Sequence, residues 1–238
     1  MNLIPPSDAT SDAKSSTRDA LIDAQLRAEK LFAAVVAEGL ICAGKSESEL
    51  SREIHDLAHR NFGVRRHWHR KVVRAGENTL LTYFDSGDDR RVLDDDVVFL
   101  DFGLVFGEWE ADFARTYVVG TDPRKHQLVS DLKAVFDAGK NLFRTSPEIS
   151  AGDLYDFVVR ESVGRGWTFG AQSAGHLIGH FPHLQGADKA QRFVIRPGNV
   201  QLLHESDERG AERHWILEVH LIDRVRGYGG FVEELLTI

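Results

Sequence analysis

Leu21, Ala24, Ala28, Leu31 and Val35 recur at spacings of three and four, the period of a helix with one apolar face. They predict a helix over Thr17–Leu40, ended by Gly39 and the Ala43-Gly44 step. Leu50, Ile54, Leu57 and Ala58 repeat the pattern in a second helix. Ser46 opens it as a capping box with Glu49, and Gly63 closes it. The pattern then changes to residues that suit strands. Val97–Val105 and Trp109–Val119 are rich in Val, Leu, Phe and Tyr and read as a hairpin with a tight turn at Phe106-Gly107. Asp122 caps and Pro123 starts a helix to about Phe143, and Ser150 opens another to about Gly164. His214–Arg224 and Gly229–Ile238 form a second predicted hairpin. Between these elements, Gly76–Thr79 reads as a turn, Leu80–Phe84 as a short strand and Asp85–Asp96 as a charged loop. Residues 1–16 are polar and are expected to form a disordered tail, leaving residues 17–238 as one folded domain.

Composition removes several function classes. A net charge of −8 argues against nucleic acid or an anionic membrane as partner. No apolar run approaches the roughly 20 residues that cross a bilayer, and the N-terminus lacks the apolar core of a signal peptide. Cys42 is the sole cysteine, so no disulfide framework or cysteine zinc site exists; a reducing, cytoplasmic location is expected.

The candidate chemistry lies on the hairpins. Pairing about a turn at Phe106-Gly107 would set Asp101 directly opposite Asp112, on one face of the sheet. Two facing carboxylates repel, and a divalent cation is the simplest remedy. The residues flanking them on that face are Phe99, Gly103, Ala114 and Thr116, more like the floor of a site than a solvated surface. The second hairpin repeats the arrangement, with Glu218 opposite Glu233 about a centre between Val225 and Arg226. Between the hairpins, Gly175-His176, Gly179-His180 and His183 place three histidines among glycines. Two acidic hairpins and a glycine-framed histidine suggest a two-metal site. The basic run from Arg65 to Lys71 contains His67-Trp68-His69. It reads first as a solvated edge strand; a His-x-His metal site, nucleic-acid binding and the lining of an acidic cleft's mouth are the other readings.

An Asp, a second Asp eleven residues on, Gly-His, a His seven residues on, and two Glu in that order resemble the pita-bread metallopeptidases. These include methionine aminopeptidase, aminopeptidase P and prolidase. The resemblance spans about residues 17–238. It implies an α/β (α+β) fold with a curved antiparallel sheet in two pseudo-symmetric halves and outer helices. It also implies two divalent metal ions, manganese first, with cobalt, iron or zinc as alternatives. Asp101 would chelate the first ion, Asp112 and Glu233 would bridge both, and His176 and Glu218 would hold the second. Glu234 would stand beside the bridging ligand. The resemblance further implies a metal-bridging hydroxide as nucleophile, His183 as donor to the developing oxyanion, and Glu218 as proton shuttle.

The segment Glu110–Tyr117 looks like the Asp-x-x-Arg-Thr pattern of the Xaa-Pro branch, whose members usually carry an N-terminal domain for which this chain has no room. Three positions depart from the family. The histidine expected before the first Asp is absent and Tyr83 stands near its place; Phe231 replaces an arginine; Val219 replaces a proline. His67, His69 or His220 would have to substitute in space. His180, His220 and Phe231 are the expected substrate contacts, and Tyr83, His183 and Glu218 the expected catalytic residues. The resulting expectation is a dinuclear hydrolase of Xaa-Pro aminopeptidase or dipeptidase type, acting on a small peptide and allowing a homodimer. A hydrolase or lyase acting on a small non-peptide amide or C–N bond, and a non-catalytic binding module, are the alternatives.

Overall fold

The computed structural model describes residues 9–183 and 192–238, with side chains from residue 17 onward. The chain runs α1 (Ala9–Ala37), α2 (Glu47–Phe62), β1 (Arg66–His67), β2 (Val72–Ala75), β3 (Asp96–Phe106) and β4 (Trp109–Val119). It continues through α3 (Pro123–Thr145), α4 (Ala151–Gly164), β5 (Thr168–Phe169), β6 (Leu177–Ile178), β7 (His214–Asp223) and β8 (Tyr228–Leu235). Helix α1 thus covers residues 9–16, half of the expected tail; residues 1–8 lie outside the described residues. The other three helices begin where their caps stand. Ser46 and Ser150 each close a capping box, and the Asp122 carboxylate accepts from the backbone of Arg124 and Lys125. Leu80–Phe84 is not a strand. Residues Gly76–Leu80 coil into a 3-10 turn, which Thr79 pins by donating to the Gly76 carbonyl.

The strands form one antiparallel sheet in the order β1-β3-β4-β8-β7-β5, with β2 also on β3 and β6 on β7. Hairpin β3–β4 turns one residue later than the sequence suggested. Phe106 stays in its strand because its ring is buried in the core, and Gly107-Glu108 make the loop. Gly107 takes φ +65°, a conformation that costs glycine nothing. The pairing therefore slips by two residues. Asp101 faces Ala114, and Asp112 faces Gly103 rather than Asp101. A slip of two preserves the side-chain alternation, so both carboxylates still project from the same face, now as diagonal neighbours. Hairpin β7–β8 has the expected register, with Glu218 opposite Glu233.

Ala114 pairs with Glu233 and joins the two hairpins at the middle of the sheet. One lateral row therefore reads Asp101, Ala114, Glu233, Glu218 across β3, β4, β8 and β7, with Asp112 two residues along β4 from Ala114. The opposite face is apolar and carries the helices. Leu100, Phe102, Leu104 and Phe113 pack with α1 and α2, and Leu217, Val219, Leu221 and Val232 with α3 and α4. Two helix pairs thus back two hairpins, and every carboxylate of the row points away from them.

Gly175 lets the next segment lie against this sheet. Its φ is +132°, and a Cβ there would fall 2.0 Å from the Ile216 carbonyl oxygen. No flexible side chain can yield at that contact, so Gly175→Ala should destabilise the protein by at least about 2 kcal/mol. Chemical denaturation checks this, with a wild-type midpoint contradicting it.

Candidate metal centre

The acidic row supplies the floor of the centre. Asp101, Asp112 and Glu233 are buried, and Glu218 is partly so. Imidazoles reach it from two irregular segments on opposite sides. His176 follows Gly175 and sets its Nε2 3.2 Å from Asp112 Oδ2, 3.5 Å from Glu218 and 3.7 Å from Glu233. His69 arrives between β1 and β2, with its Nε2 2.8 Å from Asp112 Oδ1 and 3.5 Å from Asp101 Oδ1. The basic run is therefore not a solvated edge at this residue but a wall of the acidic cleft. Room for it comes from Gly103, which lies opposite Asp112. A Cβ on Gly103 would fall 2.1 Å from His69 Cδ2 and 2.6 Å from Trp68 Nε1.

Electrostatics within the cluster follow from burial and close approach. Burial raises the Asp101 carboxyl, reinforced by Asp112 and Glu218 against the pull of His69, to about 7. Burial also raises Glu218 and Glu233, with Asp112 adding to both. Burial alone would raise Asp112 too, yet His69 and His176 outweigh it and hold its carboxyl well below the usual range. Burial opposes charge on the two imidazoles, but Asp112 and Asp101 lift His69 to about 10, and Asp112 with Glu218 lifts His176 to about 9.

The donors fit divalent ions. His69, Asp101 and Asp112 offer atoms within 4.8 Å of one another, as do Asp112, His176 and Glu233, so two triads share Asp112. Asp101 Oδ1 is buried without a hydrogen-bond partner among the described residues. Such an orphaned acceptor is costly unless a cation answers it. Carboxylates with imidazoles form a donor set that first-row divalent metals accept.

The remaining expected site residues divide. The centre lies in a cavity of about 940 Å³ whose lining includes Trp68, Tyr83, His183 and Phe231. His183 is tied through Nδ1 and its backbone N–H to the buried Glu110 carboxylate, and its Nε2 has no partner among the described residues. Tyr83 meets the His69 ring edge-on at 5.5 Å. His180 and His220 do not line the cavity. The His180 side chain is 55% exposed and pairs with Glu108 at 3.5 Å. His220 is buried, with its Nε2 2.8 Å from the Thr79 carbonyl oxygen; it locks the 3-10 turn to β7 and cannot replace the missing histidine. Glu234 follows strand alternation to the helix side, where it pairs with Arg115 at 2.5 Å and accepts from Gln25. Sequence reasoning passed over Glu110 and Trp68 and did not choose His69 from its candidates. The signal for His69 was present: a glycine inside a long apolar strand marks a close approach by another group.

Residues 19–205 match the family described as Metallopeptidase family M24. An Xaa-Pro dipeptidase of Pyrococcus furiosus is 28% identical over 181 residues, covering 73% of this chain and 49% of that protein. The chain spans about half the length of the curated relatives it matches. A recombinant prolidase from Thermococcus sibiricus superposes with a TM-score of 0.73 at 22% identity, covering 93% of this chain and 56% of that one. The X-Pro aminopeptidase from Thermotoga maritima MSB8 gives 0.72 at 19% identity, over 96% and 64%. These structures share the pita-bread fold, and the chain has that fold. No helix among the described residues is long and apolar enough to cross a membrane.

The cluster predicts a pH signature for chelator-treated protein. The folded pKa of His69, about 10, lies above its ordinary 6.5. Its stabilisation is therefore complete below pH 6.5 and lost as pH rises to about 10. His176 acts with the same sign up to about 9, and Asp101, raised from 3.8 to about 7, adds a loss at the lower end. Thermal melts in chelator should show Tm falling from about pH 6.5 to 9. A level or rising profile there would contradict this charge arrangement. Adding a divalent ion should raise Tm most at the alkaline end, because ligands bind metal deprotonated.

Proposed function

We propose, for a chain that belongs to Metallopeptidase family M24 by its match over residues 19–205, that it is a dinuclear metal-dependent hydrolase of Xaa-Pro dipeptidase or aminopeptidase type. The observation that carries this reading is the row of carboxylates flanked by imidazoles on the floor of a large cavity. The name Xaa-Pro dipeptidase borne by two relatives supports the substrate class.

Asp101, Asp112, His176, Glu218 and Glu233 would hold two divalent ions. Manganese leads the candidates because the donors are mostly oxygen, with cobalt, iron and zinc as alternatives. Such ions, when bound, polarise a carbonyl and lower the pKa of a water. The protein's own residues do the rest. The Glu110 carboxylate accepts the Nδ1–H of His183 and fixes the ring, and the ring carrying a second proton at Nε2 donates it to the oxygen of the scissile carbonyl as charge develops there. Glu218 takes the proton of the attacking water and returns it to the leaving nitrogen. Phe231, packed against Phe99 at 5.6 Å, gives the cavity an apolar wall that suits a proline ring. Tyr83, edge-on to His69, narrows the approach to the acidic floor.

The test is turnover by metal-reconstituted protein on Xaa-Pro dipeptides, longer Xaa-Pro peptides and Met-initiated peptides, with a chelated control. Chelator-sensitive release of the N-terminal residue from the Xaa-Pro members is expected. Release from the Met-initiated members alone would move the assignment to the methionine branch, and no release with two ions bound would overturn the peptidase reading. His183→Ala should lower kcat by about 10²–10³ with metal content unchanged.

A further inference from the structure

His69 and His176 meet Asp112 in the same way. Each accepts its orientation from the backbone of the next residue: Nδ1 of His69 donates to the Arg70 carbonyl at 2.6 Å, and Nδ1 of His176 to the Leu177 carbonyl at 2.8 Å. That bond places the Nδ1 proton and turns Nε2 toward the carboxylates. The two Nε2 atoms then take one Asp112 oxygen each, Oδ1 for His69 and Oδ2 for His176. Histidines that bind metal typically use one ring nitrogen and give the other N–H to a carbonyl or carboxylate. His69 has that arrangement as fully as His176, although only His176 sits in the motif order read from the sequence.

On the His69 side, the third member of the triad is Asp101, whose Oδ1 is buried and lacks a hydrogen bond among the described residues. The placement is built rather than incidental. Gly103 leaves the lane through which the imidazole passes, and Trp68 and Tyr83 meet the His69 ring edge-on at 4.6 and 5.5 Å.

We propose that His69 is a protein ligand for a divalent ion on the Asp101 side, so that the two donor triads sharing Asp112 would each contribute one imidazole. The inference rests on the dinuclear reading above and adds a sixth ligand to it. A second imidazole moves the donor set toward metals that favour nitrogen, such as zinc, cobalt and iron, and away from manganese.

The test is proton NMR of the full chain loaded with cobalt(II). An imidazole bound to cobalt through Nε2 keeps its Nδ1 proton, which appears as a strongly shifted signal that disappears in heavy water. Two such signals are expected from the wild type. His69→Gln should remove one and weaken cobalt binding at one of the two sites by at least about tenfold in calorimetry. His176→Gln should remove the other. A single signal in a wild-type protein holding two cobalt ions would overturn this inference and leave the dinuclear reading standing. So would a His69→Gln protein that keeps both signals and both affinities. Failure of the wild type to bind cobalt would overturn both readings together. The wild-type signal count decides the question even if a variant does not fold.

Discussion

Repulsion among four carboxylates on one sheet face is the constraint around which this protein is arranged. Asp101, Glu233 and Glu218 stand in one lateral row with Asp112 beside them, and atoms of Asp112 lie within 4.8 Å of donors on both sides. Two like charges about 4 Å apart cost about 4 kcal/mol even where the effective dielectric constant is about 20. Several such pairs would consume most of the 5–15 kcal/mol or so by which a domain is stable. The cluster therefore persists by holding protons, as the raised Asp101, Glu218 and Glu233 carboxyls do, or by holding positive charge inside it. His69 and His176 supply part of that charge, one on each oxygen of Asp112. Two divalent ions would balance the four carboxylates in full.

The fold separates what must be rigid from what must be aimed. The carboxylates sit on paired strands whose far face is buried under two helix pairs, so packing fixes their spacing. The imidazoles come from irregular segments that only glycine lets approach: Gly175 lies against the Ile216 carbonyl, and Gly103 makes way for His69. His183 is aimed by a third device, the buried carboxylate of Glu110 two residues before Asp112. One strand, β4, thus carries both a central metal-ligand candidate and the residue that orients a histidine of the cavity wall. A change of register in hairpin β3–β4 would disturb both at once.

Much of this was legible in the sequence because it depends on short-range chemistry. Capping boxes, a proline at a helix start and strand alternation act within a few residues, and they located the helices and both hairpins. The carboxylate face was legible for the same reason, since a two-residue error in pairing leaves alternation intact. The turn itself was misplaced because the burial of Phe106 against distant helices outweighed the local preference for Phe106-Gly107. The order of acidic and histidine residues carried the family, which the match to Metallopeptidase family M24 bears out.

The sequence by itself determined the four helices, the two hairpins and the acidic face, because periodicity and capping are properties of neighbouring residues, and the order of its acidic and histidine residues carried the fold through the family resemblance. Tertiary structure alone decided among the histidines. His67, His69 and His220 look equivalent along the chain. In three dimensions the gap above Gly103 admits His69 to the centre, the Thr79 carbonyl holds His220 in the core, and His67 pairs with His55 at 3.2 Å. Those outcomes depend on which surfaces meet after folding, over separations of up to 141 residues. No local pattern encodes them.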